Sequence, residues 1–298
     1  MENPGVTTIV VNWNLLEETS RCLHSLQQLN YPSRIILVDN GSRDGSINHI
    51  SDHFPLVEII SLPKNVGFSQ ACNLGIRHAL MESELEYIFL LNNDAVIHCA
   101  ALQRLVKASL AVPQAGILGP KIYYQYPPRK IWYAGARRRW GVLAAACKGR
   151  NTIDYGQFDQ ASLVDVDYIF GAAMFIRRSV FEHVGLFDER YFLYLEDLDF
   201  CLRAQQAGFS LLYVPSAKAW HIGSASTSKD MALRRYHHVR STILFLKQHS
   251  SKLSIMPALL FWTLVLLRMV IADLLHGNLN AINSYWSALV NGLSETQV

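Results

Sequence analysis

Three carboxylates, Glu196, Asp197 and Asp199, interrupt the aromatic and aliphatic run Phe192-Leu-Tyr-Leu-Glu-Asp-Leu-Asp199. A carboxylate drawn into apolar surroundings is costly unless a hydrogen-bond donor, a cation or a chemical task compensates it. Glu196 and Asp197 fall where an apolar loop enters an expected helix, Leu198 to Ala207, and a helix start favours negative charge. An ordinary pair of first-turn acids would read the same way, so the pair takes its meaning from the rest of the chain. A second oxygen-rich group, Asn92-Asn93-Asp94, ends a very apolar segment. Such a cluster suits a hard cation, Mg²⁺ or Mn²⁺, bridging a diphosphate, although Asn-Asp pairs also punctuate ordinary turns.

Other polar groups stand at comparable places. Asp39 follows the apolar run Ile35–Val38 and precedes Asn40-Gly41-Ser42. It is either a turn aspartate bonded to its own backbone or an acceptor for a ligand N–H, such as the imide of uracil or thymine. Lys64-Asn65-Val66-Gly67-Phe68 leads into a helical pattern, where glycine lets a ligand approach the backbone and the helix start favours anions. His221, after Ala219-Trp220, is a lone histidine near the end of the sheet pattern, a setting in which structural roles outnumber ligand roles.

These groups need elements to hold them, and the first third of the chain supplies a pattern. Strands are expected at Thr7–Asn12, Ile35–Val38, Val57–Ile60 and Tyr87–Leu91, alternating with helices at Leu16–Leu29 and Phe68–Met81. That alternation implies βαβ units and an α/β fold with a mostly parallel sheet flanked by helices. Ligands of open α/β sheets bind outside the carboxyl ends of the strands, which is where Asn12, Asp39, Asn92, Asn93 and Asp94 fall. The stretch after Lys121 shows little periodicity and is expected to form loops over that edge. Strands are expected again at Val164–Phe170, Ala172–Ile176 and Leu211–Val214, and from about Met231 onward the pattern is helical alone.

At 298 residues and 50% hydrophobic content the chain can build one sizeable core with an appendage. The net charge is only +3 but unevenly placed. Lys121–Arg150 holds eight basic residues and no acid, and Lys218–Lys252 has Asp230 as its only acid; such clusters suggest an anionic partner. Five cysteines are scattered without a CxxC pair, which fits a reducing cytoplasm better than a disulfide framework. The N-terminus reads directly into a strand rather than a signal peptide.

Taken in order, VDNGS, NVGF, the Asn/Asp triplet closing a strand, GAAMFIRR, FLYLEDLDFCLR and a later histidine resemble the inverting nucleotide-sugar transferases of glycosyltransferase family 2. Within that family the resemblance is to the bacterial rhamnosyltransferase and galactofuranosyltransferase branch, and it covers about Thr7 to Gly223. It implies a GT-A fold over residues 1–228, with 229–298 as a helical appendage. Carried over residue by residue, Asn12 and Asp39 would contact the donor nucleotide, with Asn65, Gly67, Asn92 and Asn93 around it. Asp94 stands at the metal position of the family's DxD motif, which here reads Asn92-Asn93-Asp94, one expected carboxylate being an amide. His221 matches a histidine completing the metal and diphosphate site, Asp197 matches the catalytic base, and Glu196 lies beside it. The implied activity moves a sugar from a dTDP- or UDP-sugar, dTDP-rhamnose being favoured, to a glycan or lipid-linked acceptor with the help of Mg²⁺ or Mn²⁺. A catalytically silent partner subunit is the alternative.

The tail bears on where this happens. Ile255–Leu275 is largely apolar but carries Arg268 and Asp273, and a spanning helix wants about 20 apolar residues. Arg234, Arg235, Arg240 and Lys247 precede it, and Ala281–Leu293 follows as an amphipathic stretch with Tyr285 and Trp286. Interfacial contact with the inner face of the cell membrane is therefore expected, against a helical hairpin packed on the catalytic domain or in a homo-oligomer, or a true span. Two rivals are disfavoured. A nicotinamide-dependent dehydrogenase should show G-x-G-x-x-G after its first strand, where this chain has Asn12-Trp13-Asn14-Leu15. Nucleic-acid binding would account for the basic stretches but would leave the carboxylates unexplained.

Overall fold

Thr7 to Val11 carries no charge on either face, as expected of a strand covered on both sides by helices, and it becomes the hub of the sheet. The computed structural model describes residues 4–139, 144–159, 161–223, 231–250 and 255–294. In chain order it forms β1 (Gly5–Asn12), α1 (Leu16–Gln27), β2 (Arg34–Asp39), α2 (Ser46–His53), β3 (Val57–Ser61), α3 (Phe68–Ala79), β4 (Leu85–Asn92), β5 (Ala95–Ile97) and α4 (Ala101–Ala111). There follow β6 (Ala115–Tyr124), β7 (Ile131–Tyr133), β8 (Ala136–Arg139), β9 (Ala144–Cys147), β10 (Val164–Asp165), β11 (Ala173–Arg177), α5 (Arg178–Val184), α6 (Glu196–Gln206) and β12 (Ser210–His221). Three helices close the chain, α7 (Met231–His249), α8 (Ile255–Leu275) and α9 (Leu279–Ser294).

The main sheet runs β10-β12-β6-β11-β4-β1-β2-β3, with β5 on β12 and β7 on β6. β1 lies parallel to β2 and β4, β2 to β3, and β12 to β6, while β11 runs antiparallel between β4 and β6. The sheet is thus mostly parallel but mixed. Its register aligns the strand ends that matter: Asn12 pairs with Asp39, and Val11 with Asn92. β5 turns back against β12 so that His221 pairs with Ala95, bringing a histidine from the far end of the fold beside Asp94. One large core packs helices on both faces of this sheet.

The basic stretch after Lys121 differs from the expectation of loops. It continues as the end of β6, then β7 and the β8–β9 hairpin. Lys121 is fully buried, 2.8 Å from Asp154 and 2.5 Å from Asp159. Tyr123 donates its hydroxyl to the same Asp154 at 2.5 Å. A buried charge needs such partners, and Lys121 is therefore a core ion pair and not an anion-binding residue. The strand expected at Val164–Phe170 shortens to β10, and residues 166 to 170 run irregularly toward α6.

The helical region does more than append. From α7, Ser241 Oγ donates to the Leu193 carbonyl at 2.8 Å, Arg240 to the Arg190 carbonyl at 2.8 Å, and Tyr191 donates to Gln248 at 2.6 Å. Asp199, the third acid of the aromatic run, has no exposed surface and pairs with Arg203 at 2.8 Å and His249 at 2.7 Å, tying α6 to α7. Asp273, buried within the largely apolar α8, pairs with Arg235 of α7 and accepts from Tyr285 of α9. Arg268 is exposed. α8 is long and apolar enough to cross a membrane by length and composition, and most of its surface is uncovered. The expected division at 228/229, and with it Asp230 and Lys252, lies outside the described residues.

Candidate active site

Polar side chains at the carboxyl ends of parallel strands face a crevice by construction, and here that crevice is a cavity of about 370 Å³. Asn65, Asn92, Asn93, Asp94, Glu196, Asp197 and His221 all line it. Asn12 and Asp39 do not: both are fully buried beneath it. Asn12 Nδ2 donates to Asp39 Oδ1 at 2.9 Å and to Ser42 Oγ at 3.1 Å. Asp39 Oδ2 accepts from the Ser42 N–H at 3.0 Å. Asn12 Oδ1 accepts from Thr19 at 2.7 Å and Asn93 Nδ2 at 3.2 Å. With these bonds made inside the protein, Asn12 and Asp39 fasten the ends of β1 and β2 to each other instead of pointing at the cavity. Asn93, although on the cavity wall, is also turned inward, donating to Thr19 at 2.9 Å.

Gly67 opens α3 with φ +94, a conformation that favours glycine. A side chain there would also meet Phe192, whose ring would lie 2.8 Å from an added Cβ. The Phe192 carbonyl accepts from the Phe68 N–H at 2.7 Å. Gly67 thus lets the aromatic run before α6 pack against the start of α3, with Asn65 next to it accepting from Asn40 at 3.1 Å.

Asp94 and His221 meet closely, Oδ1 and Nε2 being 2.8 Å apart with both residues buried. Neighbouring ligands of an octahedral cation bound at ~2.1 Å stand about 3 Å apart, so this spacing fits two adjacent ligands. Asn92, whose Nδ2 lies 3.3 Å from His221 Nε2, adds Oδ1, a buried oxygen without a hydrogen-bond partner. Among the described residues no group of three or more His, Cys, Asp and Glu side chains could hold a metal. The donor set therefore suits a cation that takes its remaining ligands from water and substrate phosphate, the habit of Mg²⁺ and Mn²⁺.

Asp197 begins α6 after Glu196, with three donors aimed at it. Its Oδ2 accepts from Tyr168 at 2.6 Å and the Gly171 N–H at 2.8 Å, and its Oδ1 from the Leu198 N–H at 2.8 Å. Burial raises its pKa above the usual carboxylate value, and these hydrogen bonds pull it back. Glu196 is pushed up further, by burial and then by the charge of Asp197, and its Oε2 has no partner. The segment before them is strained: Tyr194 and Leu195 adopt φ of 70° and 68°, each costing ~1–3 kcal/mol unless the surroundings hold it. The bonds from α7 do so, together with His237, which stacks on Phe192 at 4.4 Å.

Several lining residues escaped the sequence reading. Tyr168 sits in an irregular segment whose pattern looked like a strand. Trp132 comes from β7, edge-on to His221 at 4.5 Å, and Arg150 lies over the Trp132 ring at 5.7 Å. Arg234 and His238 come from α7, and burial followed by the charges of Arg235 and Arg234 lowers the His238 pKa to about 4. Only the basic composition of 121–150 and of 218–252 hinted at any of these.

A family model described as glycosyl transferase family 2 matches residues 7–185. The chain belongs to that family. This glycosyltransferase is 32% identical to the N-acetylglucosaminyl-diphospho-decaprenol L-rhamnosyltransferase of Mycobacterium tuberculosis, over 74% of its own chain and 76% of the relative. It is 26% identical to the dTDP-rhamnosyl transferase RfbF of Shigella flexneri, over 93% of the chain and 88% of the relative. Among solved structures, GalNAc-T7 with UDP, GalNAc and Mn²⁺ shares the fold at a TM-score of 0.59 and 18% identity, over 73% of the chain and under half, 43%, of that structure. A mannosyltransferase from Pyrobaculum calidifontis with GDP-Man and Mn²⁺ superposes at 0.56 and 16% identity, over 100% of the chain and 77% of that structure. The transferase therefore has the GT-A fold expected from its sequence, a mostly parallel sheet with a C-terminal helical region.

Proposed function

We propose that this glycosyltransferase moves L-rhamnose from dTDP-rhamnose to a hydroxyl of a lipid-linked saccharide, inverting the anomeric centre. The observation that carries the proposal is the meeting in one cavity of Asp197 with the close Asp94–His221 pair. Similarity to two rhamnosyltransferases, one named for dTDP-rhamnose and one for a decaprenol-linked acceptor, supports the sugar, the donor and the acceptor class.

Asp94, His221 and Asn92 would hold Mg²⁺ or Mn²⁺, which when bound offsets the charge growing on the leaving diphosphate. Asp197 takes the proton of the acceptor hydroxyl as its oxygen attacks C1 from the face opposite the diphosphate. The proton goes to Oδ1, which has one donor, since Oδ2 already accepts two. Tyr168 and Gly171 fix the carboxylate's orientation. A pKa raised by burial strengthens Asp197 as a base. Asn65 and Asn40 offer the nucleotide polar contacts at the cavity wall, and Asn12, Asp39 and Asn93 hold the strand ends behind them.

In a thermal-shift panel of dTDP-, UDP- and GDP-sugars with and without Mn²⁺, dTDP-rhamnose with Mn²⁺ should stabilise the protein most, and the glycosidic product should show the inverted configuration by NMR. Preferential stabilisation by a UDP-sugar would move the donor assignment to UDP-galactofuranose or a UDP-hexose. A retained product would overturn the single displacement, and a flat panel from folded protein would favour a silent subunit.

The uncovered apolar face of α8, with Leu259, Leu260, Leu264, Leu267 and Ile271, together with exposed Trp286 of α9, is proposed to lie on the inner face of the cell membrane. Exposed aliphatic and aromatic surface with flanking cations suits that interface. Full-length protein should float with anionic phospholipid vesicles. A dimer that does not float would assign this face to a second copy of the chain.

A further inference from the structure

Around the start of α6 nearly every buried polar group has a partner inside the protein. Asp197 has Tyr168, Gly171 and Leu198, and Asp199 has Arg203 and His249. Glu196 is the exception. It is 6% exposed, lines the cavity, and its Oε2 is inaccessible and meets no donor or cation. The left-handed residues Tyr194 and Leu195 just before it, clamped by α7, fix where its side chain starts.

We propose that Glu196 contacts substrate as a hydrogen-bond donor, its carboxyl O–H reaching a sugar hydroxyl through the part of the side chain that lines the cavity. The inference rests on the reading of this cavity as the site of glycosyl transfer. A carboxyl group donates only while protonated. The titratable and charged groups around Glu196 favour that form: Asp197 and Asp199 on its own helix repel an anion, and Cys72 on α3 supplies no charge, its thiol being held well above its usual pKa. From α7, Arg234 and His238 line the cavity without forming an ion pair with Glu196, and His238, with a pKa of about 4, is neutral. Burial adds to the repulsion and keeps Glu196 a neutral acid well above the usual glutamate range. The two adjacent carboxyls thus divide the work, Asp197 accepting a proton and Glu196 presenting one in a hydrogen bond.

The test compares E196Q and E196A by steady-state kinetics across pH. E196A leaves a substrate hydroxyl unmatched and should lower kcat/KM roughly 10- to 100-fold. A rise confined to the KM of the nucleotide sugar places the hydroxyl on the donor, and a rise confined to the acceptor KM places it there. E196Q, whose amide also donates, should recover most of the loss. Wild-type activity should fall as pH rises through the Glu196 pKa, because the ionised group cannot donate, and E196Q should lack that alkaline loss. E196Q as impaired as E196A at every pH, or an alkaline limb unchanged in E196Q, would overturn the proposal. If E196A does not fold, the E196Q profile decides alone. If wild type turns over no nucleotide sugar, the functional reading fails separately, and thermal unfolding against pH still tests the neutral acid. A raised folded pKa contributes stability below the unfolded value that is lost as pH rises through the folded value. E196Q should therefore gain stability over wild type as pH rises, and parallel curves would overturn the protonated state.

Discussion

Replacing Asp197 by asparagine is expected to lower kcat about 10²–10⁴-fold, the range that a positioned general base supplies, while donor affinity stays within a few-fold of wild type. The amide can turn its oxygen to the Tyr168 and Gly171 donors, so the fold survives. Its NH₂ then faces the Leu198 N–H, with a stability loss of ~1 kcal/mol. The residual activity should lose the acid limb of the wild-type profile. That limb arises because Asp197, its pKa raised by burial, becomes protonated and inactive as pH falls. A variant with weakened nucleotide binding and substantial turnover would assign Asp197 to the donor instead.

Asp94→Ala is expected to remove the response to Mn²⁺. In wild type, nucleotide-sugar binding should tighten with the metal. In the variant the two titrations should coincide, and kcat/KM should fall roughly 100-fold or more, as when charge stabilisation of a leaving group is withdrawn. His221 should show the same pattern to a smaller degree, since it is the second of the two side chains 2.8 Å apart. An Asp94→Ala protein that still gains affinity from Mn²⁺ would place the cation elsewhere in the cavity.

The first half of the sheet was legible because its strands are short apolar runs separated by amphipathic helices, and β1, β2, β3 and β4 fall where that pattern put them. β6 was not. Gly116, Gly119 and Pro120 break its strand signal, yet the glycines are required because Phe209 and Ile169 pack where their side chains would be, 2.7 and 2.6 Å from an added Cβ. Lys121 then disguises a fully buried strand as a basic loop. In the site, Asp94, His221, Glu196 and Asp197 announced themselves as polar residues closing apolar runs. Asn12 and Asp39 gave the same signal, and the structure places both at the strand ends, buried and bonded to each other. Tyr168, Trp132 and Arg150 come from irregular or edge segments without a period, and Arg234 and His238 from a helix whose relation to the cavity is set by tertiary packing alone.

The bracing of Tyr194 and Leu195 by α7 has a bearing on engineering. A chimera that joins the sheet of one transferase to the helices of another would cut through the bonds that Arg240, Ser241 and Gln248 make with the loop leading into Glu196 and Asp197. The portable unit for exchanging donor or acceptor preference is therefore the sheet together with α7, and a junction placed after His249 would keep the strained turn under load.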